Sequence, residues 1–256
     1  MAGKTLKTEA IVLRSIRYGE ADRILHLYTA KRGRVGAIAK GARRPKSRFG
    51  GRLEPFFRLD LLLHEGRGEL LTVTQAATVD GYPRLRASGA ALTAGARACD
   101  AVLRLLDSAE ANPPAYNLLC RYLSLLDDTA APRAAGLPVA LSFRLKLALV
   151  AGFSPELGSC ARCGEAEHLV GFSGAARGAG CEAGAFPLSE EAHRFMVESI
   201  ARPLAEAPDA SERELRQAER AIGETLEHHA HVQLRSLGAE NRRISGSSVG
   251  LLGSRT

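Results

Sequence analysis

The chain has no run of 18 apolar residues, no tryptophan and few aromatic residues of any kind. Because a transmembrane helix needs about 20 predominantly apolar residues, the sequence predicts no contact with the membrane interior. Lys4, Lys7 and Glu9 stand where a secretory signal peptide would have its apolar stretch, so we expect a cytoplasmic protein. Aromatic residues make up only 5% of the chain, and this composition does not by itself assure extensive stacking on nucleic-acid bases.

The motifs of familiar enzyme classes are also absent. The sequence has no H-E-x-x-H motif, no G-x-S-x-G motif and no spaced set of acidic residues of the kind that two-metal nucleases need. The segment from Gly41 to Ser47 approaches a phosphate-binding loop, but Pro45 stands where that motif needs glycine. A binding protein is therefore favoured over an enzyme, and a nuclease is the weakest alternative.

Cysteine is scarce, and the five cysteines do not suit a secreted disulfide framework. Their number is odd and they are spread widely over 256 residues. Cys99 and Cys120 occupy apolar positions of predicted helices, where free cysteine behaves as a small buried hydrophobic residue. Reduced thiols or a metal site account for the remaining three, which are Cys160, Cys163 and Cys181.

Cys160 and Cys163 form a C-x-x-C pair, a spacing that brings two sulfur atoms within tetrahedral reach of one metal ion. Cys181 follows 18 positions later, but position 184, where a fourth cysteine would stand, is Gly184. The sequence therefore predicts either one structural zinc ion held by the three cysteines or a hairpin that packs without metal. The candidates for a fourth ligand are His168, His193, Glu182 and water.

Acidic residues are nearly absent between Lys31 and Arg58, where ten basic side chains accompany a single acid, Glu54. Residues 1–84 carry 17 Lys and Arg against 8 Asp and Glu, whereas the rest of the chain carries 18 against 20. A localised basic surface releases condensed counterions from a phosphate backbone, so this asymmetry indicates a polyanionic partner. A solvated basic loop that only aids solubility is the alternative.

The densest basic stretch, residues 40–52, also contains Gly41, Gly50 and Gly51. Glycine lets the backbone approach a ligand while guanidinium groups reach phosphates from several directions. Proteins that bind single strands use such positive surfaces to follow the phosphate backbone without reading sequence. The predicted contact residues are Arg34, Lys40, Arg43, Arg44, Lys46, Arg48 and Arg52.

The first 82 residues show the period-two pattern of short strands, most clearly where Leu59, Leu61 and Leu63 alternate with polar residues. Five such strands with intervening turns predict a small antiparallel barrel, and the five-stranded OB-fold is the commonest nucleic-acid-binding form. An SH3-like barrel is the alternative. The predicted class is α+β, with an OB-fold nucleic-acid-binding domain at 1–82 followed by an all-helical domain.

Residues 83–237 show helical periodicity, with an inserted zinc-knuckle-like segment at about 153–187. One predicted helix would bury Leu92, Ala96, Cys99 and Leu106. The last predicted helix begins with a capping-box pattern at Ser211 and runs to about residue 237. Residues 238–256 are rich in Gly, Ser and Arg, and this composition predicts a disordered tail.

The combination of these motifs resembles one known family, the bacterial recombination mediator RecO. The similarity extends from about residue 5 to residue 237, and the combined pattern is more specific than any single motif. The segments that are similar are Thr8–Arg14, Tyr18–Ile24, Lys40–Ser47, Leu53–Phe56, Phe143–Leu147, Gly152–Leu157, Cys160-x-x-Cys163-Gly164 and Phe172-Ser173.

The resemblance implies an N-terminal OB-fold, a helical C-terminal domain with a zinc-type knuckle, and no enzymatic turnover. It implies a RecF-pathway protein that binds single- and double-stranded DNA and anneals complementary strands. It also implies that the protein acts together with RecR, so that RecA can load onto strands coated by single-stranded-DNA-binding protein. Gly184 departs from the zinc-bearing members of that family. The alternative function is an RNA-associated OB-fold structural module, because charge does not distinguish the two sugars.

Overall fold

The computed structural model describes residues 4–66, 68–181 and 186–237. The chain there forms a closed five-stranded barrel, followed by a helical body that carries a small three-stranded sheet. The predicted disordered tail at 238–256 and the positions Glu182 and Gly184 lie outside the described residues. None of the helices in the described ranges combines the length and the hydropathy of a membrane-spanning segment.

The barrel closes in the order β1-β2-β3-β5-β4, with β3 and β5 parallel and the other pairs antiparallel. Alternate residues of each strand point inward; in β4 these are Leu59, Leu61 and Leu63, all at most 1% exposed. This five-strand closure is the predicted OB-fold and not the SH3-like alternative. The strands are β1 Thr5–Tyr18, β2 Asp22–Thr29, β3 Gly33–Ala39, β4 Arg58–His64 and β5 Leu71–Asp80.

The helical body is arranged around one central helix, α4, which buries residues on all sides. Proline stands in the first turns of α3 and α4, where its missing N–H costs no helical hydrogen bond. The predicted capping box at Ser211 and Glu214 is present at the start of α6. The helices are α1 Pro83–Ala87, α2 Gly89–Leu105, α3 Pro113–Asp127, α4 Leu137–Val150, α5 Glu190–Ala201 and α6 Glu212–Ala230, with a 3-10 turn at Leu204–Glu206.

The insertion between α4 and α5 contains three short strands, β6 Gly171–Ser173, β7 Gly178–Gly180 and β8 Phe186–Pro187, in the order β7-β6-β8. The rings of Phe172 and Phe186 pack with their centroids 5.6 Å apart, and both residues join the helical core. The insertion is therefore attached to the body by its own apolar side chains as well as by any metal that it binds.

The buried face of α2 differs in part from the predicted one, although Cys99 is buried as predicted, with 2% exposure. Leu92 and Ala96 are exposed, whereas Ala91, Ala94 and Ala98 are at most 7% exposed. The buried face is made mainly of small residues, which allow neighbouring elements to approach closely. At Gly95, for example, a Cβ atom would lie 3.2 Å from the ring of Phe56.

The last helix ends at Ala230 and not at residue 237. His231 has a left-handed backbone conformation (φ 53°), which stops the helix. The segment that follows, residues 232–237, is held by tertiary hydrogen bonds. Arg97 Nη1 donates to the carbonyl of Leu237 at 2.7 Å, and the amide of Leu237 donates to Glu219 Oε1 at 2.5 Å.

The core cluster of the helical body extends into the barrel, which also has a separate core of its own. Ile11, Leu13, Tyr28 and Phe56 belong to the barrel segment but pack in the core cluster of the helices. At the seam between the barrel and the helical body, Gly33 lies very close to the loop before α3. A Cβ atom at this position would be 2.2 Å from the carbonyl oxygen of Glu110. The division of the chain after residue 82 stays a prediction, since the two parts are joined by these contacts.

Candidate nucleic-acid interface and metal centre

The basic loop, defined here as residues 40–52, follows β3 as a series of turns. Successive amide-to-carbonyl hydrogen bonds join Arg44 to Gly41 at 3.1 Å, Ser47 to Arg44 at 2.9 Å and Gly50 to Ser47 at 3.3 Å. Between the turns, Ala42 and Phe49 point into the barrel core with 8% and 1% exposure. The alternation of buried apolar residues with polar residues places the basic side chains on the outside.

The basic loop packs against the turn that joins β1 to β2. The amide of Gly41 donates to Asp22 Oδ1 at 2.8 Å, and the amide of Arg43 donates to the carbonyl of Ala21 at 2.8 Å. The side chain of Arg43 also donates from Nη1 to the carbonyl of Gly19 at 3.2 Å. These bonds fix the backbone of the first turn to the hairpin, and the last of them also holds the side chain of Arg43.

Six of the seven predicted contact residues lie together on the basic loop. All six are exposed, and among the described residues none has a carboxylate within ion-pair distance. The six are Lys40, Arg43, Arg44, Lys46, Arg48 and Arg52. Their charge is therefore available to an external anion.

Arg34 does not join this group. It lies at the start of β3, about 20 Å from Lys40 along the strand at the usual rise of about 3.3 Å per residue. Its Nη1 donates to the carbonyl of Leu103 at 2.8 Å, at the seam with α2. Other cations near the loop are neutralised: Arg23 pairs with Glu54 at 2.6 Å, and Arg58 pairs with Glu9 at 2.6 Å.

Arg14 is an exposed cation that the sequence analysis did not single out. It lies opposite His26 on the outer face of the barrel. Burial lowers the pKa of His26, and the positive charges of Arg14 and Arg34 lower it further. The outer face of β1 and β2 is thus electropositive beyond the basic loop itself. Strand alternation in the sequence could have placed Arg14 on the outer face, but the residues that lie beside it are known only from the strand register.

The three cysteines of the insertion are close together, with their sulfur atoms within 4.8 Å of one another. The sulfurs of Cys163 and Cys181 are 3.5 Å apart. Four thiolates around zinc at about 2.3 Å would place neighbouring sulfurs about 3.8 Å apart, so the spacing fits a zinc ion. Gly164, with φ 79°, makes the tight turn after the C-x-x-C pair, and its amide donates to the carbonyl of Cys160 at 2.9 Å.

The backbone around these thiols favours a thiolate at Cys160. Hydrogen bonds from the backbone amides of Cys163, Cys181 and Arg162 lower the pKa of Cys160 to about 6. The contacts of Cys181 with the other two thiols raise its own pKa to about 11. A thiolate at Cys160 is suited to capture a soft cation, and binding of that cation would displace the proton of Cys181.

A fourth ligand is not found among the described residues. Neither His168 nor His193 belongs to the cysteine cluster. His193 instead has its Nε2 atom 2.7 Å from the carbonyl oxygen of Leu157. Glu182 lies outside the described residues. The donor set that is present therefore supplies three of the four ligands of a structural zinc site.

Two family models match the chain, Recombination protein O N terminal over residues 1–82 and Recombination protein O C terminal over residues 86–238. The chain belongs to the Recombination protein O family. This membership confirms the resemblance seen in the sequence, and the barrel followed by helices agrees with its two parts.

Proteins named DNA repair protein RecO are similar to this chain over most of its length. The one from Rubrobacter xylanophilus is 37% identical over 253 residues, which are 95% of this chain and 97% of that protein. The one from Anaeromyxobacter sp. strain K is 35% identical and covers 88% of this chain and 91% of its own length. The one from Bifidobacterium animalis subsp. lactis is 43% identical and covers 68% and 72%.

Proposed function

We propose that this Recombination protein O family member is a DNA-binding recombination mediator of the RecF pathway in the cytoplasm. The observation that carries the proposal is the group of six exposed, unpaired cations on one ordered loop of an OB-fold. The names of the relatives, DNA repair protein RecO, agree with it. The DNA-contacting residues would be Lys40, Arg43, Arg44, Lys46, Arg48 and Arg52, with Arg34 in a separate position at the seam.

The chemistry of the loop supports annealing of complementary strands without nucleotide hydrolysis. Two DNA strands repel each other through their phosphates, and clustered guanidinium and ammonium groups screen that repulsion. Contacts to phosphate carry no sequence information and leave base edges free to pair. The protein would therefore bind single- and double-stranded DNA and bring strands together without catalytic turnover.

The helical body, at about 83–237, would serve as the platform for protein partners. Its charge is nearly balanced, in contrast to the barrel. The partners in this proposal are RecR and single-stranded-DNA-binding protein, and the result of their joint action is loading of RecA. Zinc held by Cys160, Cys163 and Cys181 would fix the insertion to the body; its role would be structural.

An annealing assay on coated strands tests the proposal. Complementary oligonucleotides coated with the cognate single-stranded-DNA-binding protein are mixed, and pairing is followed by fluorescence with and without this protein. We expect faster pairing without ATP and a steep loss of the effect as salt rises. No acceleration by protein that binds bare DNA would refute the mediator function. Matched RNA strands serve as the control for the RNA-module alternative, which predicts preferential binding to RNA.

A further inference from the structure

The chain has thirteen aromatic side chains, eight Phe and five Tyr, and all of them lie within the described residues. Tyr18 is 54% exposed, while the other four tyrosines are at most 5% exposed. Among the phenylalanines, Phe57 and Phe153 are half-buried and the other six are buried. Tyr18 is therefore the one broadly exposed aromatic ring in the part of the chain that the structure describes.

Tyr18 lies beside the basic loop. It ends β1 and is paired with Asp22 across the β1–β2 turn. Residues directly opposite each other on antiparallel strands share a face, with Cβ atoms about 5 Å apart. The carboxylate of Asp22 accepts the amide hydrogen bond of Gly41, and the neighbouring Gly19 carbonyl accepts one from Arg43. Tyr18 is thus next to the residues that hydrogen-bond the first turn of the loop.

An apolar row adjoins Tyr18 on the same outer face. Ile16 is two residues before Tyr18 and so points to the same side of β1. Ile16 pairs with Ile24 on β2, and Ile24 pairs with Ile38 on β3. Ile16 is 36% exposed although it is a large apolar residue. A partly exposed apolar strip next to unpaired cations is suited to a ligand that carries both flat apolar faces and negative charge.

A single DNA strand has this combination, since each unpaired base exposes two π-faces and each phosphate carries a negative charge. We propose that Tyr18 stacks on an unpaired base of single-stranded DNA whose phosphates contact the first turn of the basic loop. This inference rests on the proposed function and adds strand selectivity to it. In duplex DNA the bases are already stacked on each other, so Tyr18 has no free face to contact.

The binding experiment compares a labelled oligo(dT) strand with a duplex of the same length. Replacement of Tyr18 by Ala should weaken binding to the single strand by about 5- to 150-fold, the range for loss of one aromatic stacking contact. Tyr18→Phe should bind like the unmodified protein because it keeps the ring. Duplex affinity and the salt dependence should be unchanged in both variants, since no phosphate contact is lost.

A second readout observes the ring itself. Because the chain has no tryptophan, its tyrosine emission can be measured directly. Addition of unlabelled oligo(dT) should quench a part of the emission in the unmodified protein. That part should be missing in Tyr18→Phe, which binds DNA but lacks the exposed tyrosine.

The outcomes separate this inference from the proposed function. The inference is overturned if Tyr18→Ala keeps full affinity for the single strand, or if it weakens single-strand and duplex binding equally. If Arg43→Glu with Arg44→Glu abolishes binding in the same assay, the proposed function still stands in either case. If that double variant also binds normally, the DNA-binding function fails as well.

Discussion

Charge reversal of Arg43 and Arg44 tests the placement of the DNA surface quantitatively. If all six cations of the basic loop contact phosphates of a single strand, each contributes about 0.7 to the slope of log affinity against log salt. The slope is then about −4, and a fourfold rise in salt weakens binding about 300-fold. Loss of two contacts reduces the slope to about −3, so the same fourfold rise in salt weakens binding only about 50-fold.

The measurement is fluorescence anisotropy of a labelled oligo(dT) strand at salt concentrations from about 50 to 200 mM, the range in which phosphate contacts dominate. The matched control is Arg194→Glu with Arg213→Glu, which makes the same change in net charge at two exposed arginines of the helical body. The control should keep the steep slope. Equal slopes for the two double variants would show that the basic loop contributes no more than the helical body does, and would refute the placement.

Two further predictions concern the metal centre and pH. Freshly purified, reductant-treated protein should contain close to one zinc per chain by metal analysis, and Cys160→Ser should lose it; less than about a tenth of a zinc per chain would favour a hairpin that packs without metal. Burial and the positive charges of Arg14 and Arg34 lower the pKa of His26 in the fold, whereas in the unfolded chain the histidine gains a proton below about 6.5. The free energy of unfolding should therefore fall as pH decreases through that range. In urea titrations at pH 7.5 and 5.5, the free energy of unfolding of His26→Asn should fall less between the two pH values than that of the unmodified protein. An equal loss in both would contradict this role of His26.

The barrel could be predicted from sequence because some of its strands alternate clearly, as in β4, where every second residue is a buried leucine. The face of α2 could be predicted only in part: Cys99 is buried as expected, but many of the other buried residues are alanines, whose weak hydrophobicity does not reveal that Leu92 and Ala96 lie on the exposed side. The end of α6 was missed because residues 232–237 are held by distant partners, Arg97 and Glu219, that no local pattern reveals.

The candidate site shows the same limit. Composition identified the basic loop, because a dense group of six basic residues is visible in the sequence without knowledge of the fold. It could not separate Arg34 from them, because only the fold brings the Leu103 carbonyl to that guanidinium. The exposure of Tyr18 depends on the strand register and the packing of the loop, and a low aromatic content gave no sign of it.

The way the basic loop is anchored has a consequence for evolution and engineering of this surface. Ala42, Phe49 and Leu53 hold the loop by burying their side chains in the barrel, so the entropy of ordering it is lost during folding and not on contact with DNA. The spacing between the loop's charges is therefore set by the volume of apolar side chains beneath them. A substitution inside the barrel that carries no charge can thus change the affinity for a polyanion, and the barrel core and the DNA surface cannot vary independently.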